Sequence, residues 1–285
     1  MPRLALLATL LPLAACTTTP TPLAPGQRGS VGVPHLGVQT DAVELPASGE
    51  GFRRYRPRGK NHWGVPRLVR LIQDAAAHVY RTMPGGPQLV VGDLSARNGG
   101  KIPGHNSHRT GRDVDLLYYV TTPRGVPVQS PGFVTHEGDG LAYVRERGEY
   151  LLFDVPRQWE LFKYLISRTD VGIQFLFVSR DIEAMLIDYA LARHEPLDLV
   201  YRAQTVLLEP RDSLPHGDHV HLRIACTPEE NLSGCSGGGP YWPWLPLAPV
   251  ASPLEPDFFT ALATEDPFEL ETLAGSPDAD PDDGV

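Results

Sequence analysis

Two histidines and two aspartates lie close together in residues 104–115, where a glycine turn leads into a strand-like segment. That segment, residues 113–120, is rich in β-forming residue types. Side chains two apart on a strand share a face, so Asp113 and Asp115 are expected to point the same way. The loop can return the imidazole of His108 to one of them. The cluster indicates a metal site; the alternative is a turn whose Asp and Asn side chains bond their own backbone.

Three further histidines, His216, His219 and His221, stand in an H-x-x-H-x-H spacing before a second β-like segment. Zinc in hydrolases commonly takes three His or carboxylate ligands and keeps a fourth position for water. We therefore predict that His108, Asp115 and His221 hold one Zn²⁺ per chain. A histidine in a strand is more often a core or surface residue, but five of the chain's ten histidines fall in these two short motifs.

The residues beside the predicted ligands suggest further roles. His219 is the predicted general base because, on a strand, it shares a face with His221. His216 is the second catalytic candidate, as a donor to the oxyanion. His105 and Asp113 are expected behind the ligands, where they would orient the imidazoles and the loop.

The two motifs, with spacings H-x6-D and H-x-H, resemble those of the LAS group of zinc peptidases. Within that group the chain is most similar to the penicillin-insensitive murein endopeptidases. The similarity covers roughly residues 50–228 and includes the segments HWGVPRLVRLI, GDLSARNGG, FDVPRQW and FLFVSRDIEAMLI. The family usually reads H-D-D-H-x-H at the second motif, whereas Gly217 replaces the first Asp here. This departure affects a supporting contact near His216 and not the metal itself.

The resemblance implies a hydrolase of the peptide cross-links of peptidoglycan. It would cut between D-alanine and meso-diaminopimelate, and it offers no serine nucleophile for penicillin to acylate. A D,D-carboxypeptidase of the same fold is the alternative among enzymes. The alternative from another class is a non-catalytic peptidoglycan-binding lipoprotein. The loss of a metal ligand or of the base would indicate it, and none of these residues is lost in this sequence. The exact bond and the oligomeric state stay open.

The periodicity of the chain predicts helices and strands without a regular βαβ alternation. Predicted helices cover residues 65–82, 156–168 and 179–193, and predicted strands cover residues 88–91, 113–120, 171–179 and the hairpin 141–153. The strand 171–179 is apolar on both faces, which is typical of a central position. We expect an α+β fold, with one LAS-type metallopeptidase domain in residues 50–250 and a mostly antiparallel sheet flanked by helices and long loops.

The N-terminus predicts export and lipidation. Residues 1–15 place Arg3 before an apolar run too short to span a bilayer, which is typical of a secretory signal. Small residues precede Cys16 as in a bacterial lipobox, so Cys16 is predicted to be lipidated; an ordinary signal peptide with an incidental cysteine is the alternative. Thr17 at the next position favours a periplasmic lipoprotein of the outer membrane. Residues 16–49, rich in Thr, Pro and Gly, are expected to form a flexible tether.

The other two cysteines are predicted to pair with each other. In an oxidising periplasm, Cys226 and Cys235 are expected to form a disulfide. The alternative is a cysteine at the metal site, but Cys226 lies five residues beyond His221, and we favour the disulfide.

The acidic C-terminal stretch, residues 251–285, accounts for nearly all of the net charge. It contains ten of the 34 acidic residues and no Lys or Arg, and the whole chain has a formal charge of −9. We expect this tail to be disordered. The remaining residues are near neutral, and without clustered Lys and Arg no nucleic-acid partner is expected. The predicted partners are peptidoglycan peptides and, through the N-terminal lipid only, a membrane.

Overall fold

The computed structural model describes residues 28–210, 213–237 and 242–245. The predicted signal peptide, Cys16, the start of the tether and the acidic tail lie outside the described residues. Within the described ranges, no helix combines the length and the apolar character that crossing a membrane requires.

The described residues form five helices and fifteen short strands. The helices are α1 (Pro66–Thr82), α2 (Val155–Ser167), α3 (Arg180–Ala192), α4 (Leu197–Val206) and α5 (Pro228–Leu232). The strands are β1 (Ser30–Val33), β2 (Leu36–Gln39), β3 (Val43–Glu44), β4 (Ser48–Gly49), β5 (Phe52–Arg54), β6 (Trp63–Gly64), β7 (Leu89–Val91), β8 (Asp113–Leu117), β9 (Val120–Thr121), β10 (Pro127–Val128), β11 (Leu141–Val144), β12 (Glu149–Phe153), β13 (Ile173–Phe177), β14 (Leu207–Leu208) and β15 (His219–Ile224).

A seven-stranded sheet organises the fold, in the order β14-β13-β15-β8-β7-β5-β4. Its neighbours run antiparallel except for two parallel pairs, β13 with β14 and β5 with β7. A second sheet has the order β10-β9-β12-β11, and two small pairs join β1 to β2 and β3 to β6. The predicted α+β class with a mostly antiparallel sheet is confirmed.

The two faces of the large sheet have opposite characters because side chains alternate along a strand. On β8 and β15, the apolar positions Val114, Leu116, Val220, Leu222 and Ile224 join one buried cluster with apolar residues of α1 to α4. The alternate positions on the same two strands are Asp113, Asp115, His219, His221 and Arg223. One face of the sheet therefore builds the core, and the other presents titratable side chains.

Local sequence explains where the core helices begin and how they face the sheet. Helix α1 has a proline in its first turn and buries a stripe that includes Leu68, Ile72 and Val79. Helix α2 is capped by Asp154, whose carboxylate accepts a hydrogen bond from the backbone N–H of Arg157 at 3.2 Å. The helices predicted at 65–82 and 156–168 are therefore confirmed to within a residue.

The helix predicted at 179–193 is present, but its N-cap works differently from the expectation. Ser179 occupies the cap position of α3 without a side-chain hydrogen bond to the helix. Its backbone N–H instead donates to the carbonyl oxygen of His216 at 3.1 Å. The start of α3 thus supports the second histidine motif.

The strand predicted at 113–120 is wrong in its second half. It ends at Leu117, because Tyr118 and Tyr119 leave the large sheet, and β9 then joins the second sheet. The backbone N–H of Tyr119 donates to the side-chain carbonyl of Gln158 at 3.2 Å, and the Tyr119 carbonyl accepts from the N–H of Asp154 at 2.9 Å. The start of α2 therefore satisfies backbone groups that a continuing strand would have paired.

The folded part begins earlier than the sequence predicted. Residues 30–49, assigned to the flexible tether, contain β1 to β4. The buried guanidinium of Arg112 fixes this segment, since its Nε donates to the hydroxyl of Ser30 at 3.0 Å and its Nη1 to the carbonyl of Ile224 at 3.2 Å. The composition of the segment favoured a tether. Composition does not show this contact, because Arg112 is about eighty positions away in the sequence.

The predicted disulfide between Cys226 and Cys235 is confirmed, with a Cα–Cα distance of 6.0 Å. It spans α5 and follows the exit of β15. The hairpin predicted at 141–153 is also confirmed, as β11 and β12 joined by a turn at Gly148, whose φ is 62°.

Candidate metal centre

Cross-strand pairing brings the two sequence motifs together. In the antiparallel register of β8 and β15, Asp115 lies opposite His221 and Asp113 lies opposite Arg223. Side chains at paired positions are neighbours on one face of a sheet. The face that carries the titratable residues therefore places a carboxylate beside an imidazole, although 106 positions separate them in sequence.

His108 reaches the same point from the preceding loop. Its φ of 62° lies in the left-handed region, which is uncommon for a residue with a side chain. The imidazole is completely buried, and its Nδ1 lies 2.8 Å from the carbonyl oxygen of Leu94. Since a carbonyl only accepts, Nδ1 carries the proton, and the Nε2 lone pair points to the sheet face. Such backbone conformations cluster at functional sites.

Three donor atoms form a nearly equilateral triangle. Nε2 of His108 lies 3.1 Å from Nδ1 of His221 and 3.2 Å from Oδ1 of Asp115, and the third edge, from Nδ1 of His221 to Oδ1 of Asp115, is 3.2 Å. Ligands about 2.0–2.1 Å from a tetrahedral metal are themselves about 3.3 Å apart. The triangle thus has the size that such coordination requires.

The positions of the protons on the two imidazoles leave the triangle suited to binding a cation. Nε2 of His221 donates to Oδ1 of Asp113 at 2.9 Å, which leaves its Nδ1 with a lone pair. The two facing imidazole nitrogens therefore meet lone pair to lone pair beside an ionised carboxylate. Oδ1 of Asp115 is buried and makes no hydrogen bond of acceptable geometry within the described residues. Three converging lone pairs repel one another unless a positive ion lies between them.

His105 offers a second, overlapping set of ligand atoms. His105, His108 and Asp115 present atoms within 4.8 Å of one another, a spacing that could hold a metal ion. Nδ1 of His105 lies 3.7 Å from Oδ2 of Asp115, and its Nε2 lies 3.3 Å from Oδ2 of Asp93. The triangle with His221 is tighter. His105 therefore faces Oδ2 of Asp115, while the triangle uses Oδ1.

Asp113 lies behind His221 and links it to the guanidinium of Arg223. Its Oδ1 also accepts from Nε of Arg223 at 2.6 Å. Burial alone would raise the pKa of Asp113, but Arg223 and His221 outweigh it and hold that pKa well below its usual range. Burial likewise lowers the pKa of His221, and the carboxylates of Asp113 and Asp115 reverse this and raise it. An ionised Asp113 fixes the orientation and tautomer of His221.

His219 lies beside the triangle without belonging to it. Its Nε2 is 3.6 Å from Oδ1 of Asp115, while its Nδ1 donates to the carboxylate of Asp218 at 2.6 Å. Burial lowers the pKa of His219, but Asp115 and Asp218 outweigh it and raise that pKa. An imidazole held by a carboxylate at one nitrogen and facing the centre with the other can accept a proton there.

His216 is the second half-buried imidazole beside the triangle. Its ring lies 4.8 Å from the ring of His219 and 5.9 Å from that of His221. Burial, and after it the neighbouring His219 and His221, lower the pKa of His216 to about 4. Its backbone carbonyl accepts from the hydroxyl of Tyr118 at 2.7 Å as well as from Ser179. The backbone of His216 thus anchors the loop, and its side chain is left to face the site.

Several residues at the site were not predicted from the sequence. Asp93, whose carboxylate contacts His105, lies in the segment GDLSARNGG, and nothing in that segment distinguished it as a site residue. Asp218 and Arg223 could have been found, because Asp218 lies inside the histidine motif and Arg223 follows its last histidine by two positions. Phe133, whose ring contacts that of His219 at 5.2 Å, lies in a loop without any periodic signal.

The fold and the cluster define an α+β protein with a candidate metal centre on the face of its main sheet opposite the helical core. The model of the penicillin-insensitive murein endopeptidase family matches residues 30–240, and the chain belongs to that family. Similar proteins include the penicillin-insensitive murein endopeptidases of Escherichia coli strains UMN026 and SMS-3-5. Each is 28% identical over 237 residues, covering 80% of this chain and 79% of the relative.

Proposed function

We propose that this chain is a zinc-dependent murein D,D-endopeptidase, which hydrolyses the D-alanyl to meso-diaminopimelyl cross-links of peptidoglycan and is insensitive to penicillin. Its family and the names of its relatives support the substrate class and the reaction. The observation that carries the proposal at the site is the triangle of His108, Asp115 and His221, with edges of 3.1–3.2 Å.

These three residues are the proposed ligands, and zinc is the proposed ion. Two imidazoles and a carboxylate are a common zinc donor set in hydrolases. When bound, zinc supplies a Lewis acid and lowers the pKa of a coordinated water. The chain's own part is to hold the donors in place, through Leu94 behind His108 and Asp113 behind His221. His105 is proposed to steady Asp115 from the outer side.

His219 is the proposed general base. Its Nε2 faces the centre, and the Asp218 carboxylate at its Nδ1 stabilises the imidazolium that forms when a proton arrives. The same imidazole can return that proton to the leaving amine. His216, with its lowered pKa, is neutral near pH 7 and is proposed to donate a hydrogen bond to the developing oxyanion. It would have to do so from its protonated nitrogen.

The location is proposed from the sequence. Cleavage by a signal peptidase before Cys16, with lipidation of that cysteine, would hold the domain on the periplasmic side of the outer membrane, within reach of the cell wall. The disulfide between Cys226 and Cys235 supports an oxidising compartment.

The deciding experiment incubates the full chain with purified cross-linked peptidoglycan, with and without a chelator, and analyses the muropeptides by mass. We expect cross-linked dimers to become monomers, and we expect the chelator to stop the reaction. Penicillin should leave it unchanged. Release of free D-alanine with the dimers intact would instead identify a D,D-carboxypeptidase, and no change would identify a non-catalytic protein.

The ligand assignment has its own test, metal analysis of three variants. His108→Ala, Asp115→Ala and His221→Ala should each lose the single zinc of the wild type. His78→Ala is the matched control, because His78 pairs with Glu160 on the helical side of the molecule. Full zinc occupancy in all three ligand variants would contradict the assignment.

A further inference from the structure

A cavity of about 300 Å³ lies beside the candidate metal centre rather than at it. Its lining includes Arg53, Tyr55, Val90, Ser130 and Arg147. Two guanidinium groups, a phenol and a hydroxyl thus meet around a space large enough for part of a peptide. None of these residues belongs to the proposed zinc site.

The cavity and the metal centre share one face of the large sheet. Arg53 on β5 pairs with Val90 on β7, and β7 is the neighbour of β8, which carries Asp115. The flanking positions Leu89 and Val91 belong to the helical core, so alternation turns Val90 and its partner to the face that bears Asp115. Adjacent strands are about 4.8 Å apart, so two strands place the cavity about 10 Å from the metal centre.

Aromatic rings connect the two sites. The ring of Tyr55, in the cavity wall, contacts the ring of Phe133 edge to face at 5.4 Å. The ring of Phe133 contacts that of His219 in the same manner at 5.2 Å. Tyr55 is therefore two ring contacts from the proposed base, and a substrate that extends from the centre across Phe133 arrives at the cavity.

The charges of the cavity are positive and incompletely paired. Nη1 of Arg147 lies 3.4 Å from Oε1 of Glu149, which balances one of the two guanidinium groups. Arg53 is exposed and forms no ion pair within the described residues. One positive charge is thus left over in a concave site with a hydroxyl nearby. Arginine binds carboxylates through two parallel hydrogen bonds, so a carboxylate is the ligand that this lining favours.

We propose that this cavity, with Arg53 as its principal ligand-binding residue, binds a carboxylate of the substrate peptide. An extended peptide advances about 3.3–3.6 Å per residue, so the bound carboxylate lies about three residues from the bond that is cut. This inference rests on the proposed endopeptidase function and adds the recognition of an anionic stem peptide. Arg147 contributes less than Arg53 because Glu149 already neutralises it.

The binding test uses the uncross-linked murein tetrapeptide, which an endopeptidase does not cut, with its carboxylates either free or converted to amides. Binding is measured by calorimetry for the wild type, for Arg53→Gln and for Arg145→Gln. The last is the matched control, because Arg145 is an exposed arginine in the β11–β12 turn, two positions before Arg147, and does not line the cavity. Thermal melting of each variant checks that the fold is retained.

We expect Arg53→Gln to weaken binding of the free-carboxylate peptide about 10-fold, the scale of one partly exposed charged hydrogen bond. The amidated peptide should bind the wild type and Arg53→Gln alike, and Arg145→Gln should behave as the wild type. Equal binding of both peptides by the wild type, or an equal loss in Arg53→Gln and Arg145→Gln, would overturn the proposal.

Hydrolysis of cross-linked dimers separates this inference from the proposed function. Arg53→Gln should raise KM about as much as it raises Kd and leave kcat and zinc content unchanged. If the wild type binds the tetrapeptide through Arg53 but leaves dimers intact, the endopeptidase function fails and the carboxylate site stands. If dimers are cut and Arg53→Gln cuts them with the wild-type KM, the function stands and the carboxylate site fails.

Discussion

Truncating His219 tests whether the proposed base can be removed without disturbing the proposed ligands next to it. His219→Ala removes an imidazole whose Nε2 lies 3.6 Å from Oδ1 of Asp115, yet it leaves the triangle of His108, Asp115 and His221 intact. Leu94 and Asp113 still orient the imidazoles of His108 and His221. We therefore expect the variant to keep its zinc.

The expected loss is catalytic and follows from the proton-transfer role. General acid–base catalysis contributes roughly 10²–10⁴ in rate, which corresponds to a barrier increase of about 3–5 kcal/mol. His219→Ala should therefore cleave cross-linked dimers 10²–10⁴ times more slowly at saturating substrate. Because Asp218 orients His219 and stabilises its imidazolium but does not itself carry the proton, Asp218→Asn should be slowed less than His219→Ala.

The assay measures zinc by elemental analysis and kcat by chromatography of muropeptide dimers, in parallel for His219→Ala and His216→Ala. A residue that only stabilises the oxyanion contributes up to about 10²–10³, so His216→Ala should lie between the wild type and His219→Ala. Near wild-type turnover by His219→Ala, together with an inactive His216→Ala that retains zinc, would exchange the two roles. Loss of zinc from His219→Ala would make it a ligand instead.

Three further predictions address the parts that support the site. Asp113→Asn should weaken zinc binding about 10- to 100-fold in a chelator competition, because His221 loses a charged partner; unchanged affinity would remove Asp113 from the site. Replacing both Cys226 and Cys235 by Ser should lower the free energy of unfolding by about 2–3 kcal/mol for a loop with a sequence separation of 9, without loss of zinc; an unchanged urea midpoint would refute this. Cys16→Ser should release the protein from membranes, and continued membrane retention with unchanged mobility would argue against lipidation.

The sequence could predict those parts of the site that depend on local spacing. Residues two apart share a strand face, so the pairs Asp113 with Asp115 and His219 with His221 were placed correctly on one face. Amphipathic spacing likewise located α1 and α2. Neither argument depends on which strands become neighbours, and for that reason both could be made without a structure.

What the sequence could not predict is the pairing between distant segments. Nothing local states that Asp115 lies opposite His221, or that Arg112 anchors Ser30 and so orders a segment with the composition of a tether. The early end of β8 has the same origin, because Tyr118 and Tyr119 bond groups outside the large sheet. Helix α4 was missed as well, although its ten residues include the buried positions Val200, Ala203 and Val206.

Gly217, where the family usually has an aspartate, lies in a loop that is held through its backbone. The carbonyl of Gly217 accepts from the N–H of His136 at 2.9 Å, and Nδ1 of His136 lies 3.2 Å from the same oxygen. The preceding carbonyl, of His216, accepts from Tyr118 and Ser179. Backbone acceptors are independent of the side chain at position 217, so these four contacts persist with glycine there. The position of His216 is therefore maintained by His136 in the loop between β10 and β11, by the start of α3 and by Tyr118 after β8, rather than by the missing carboxylate.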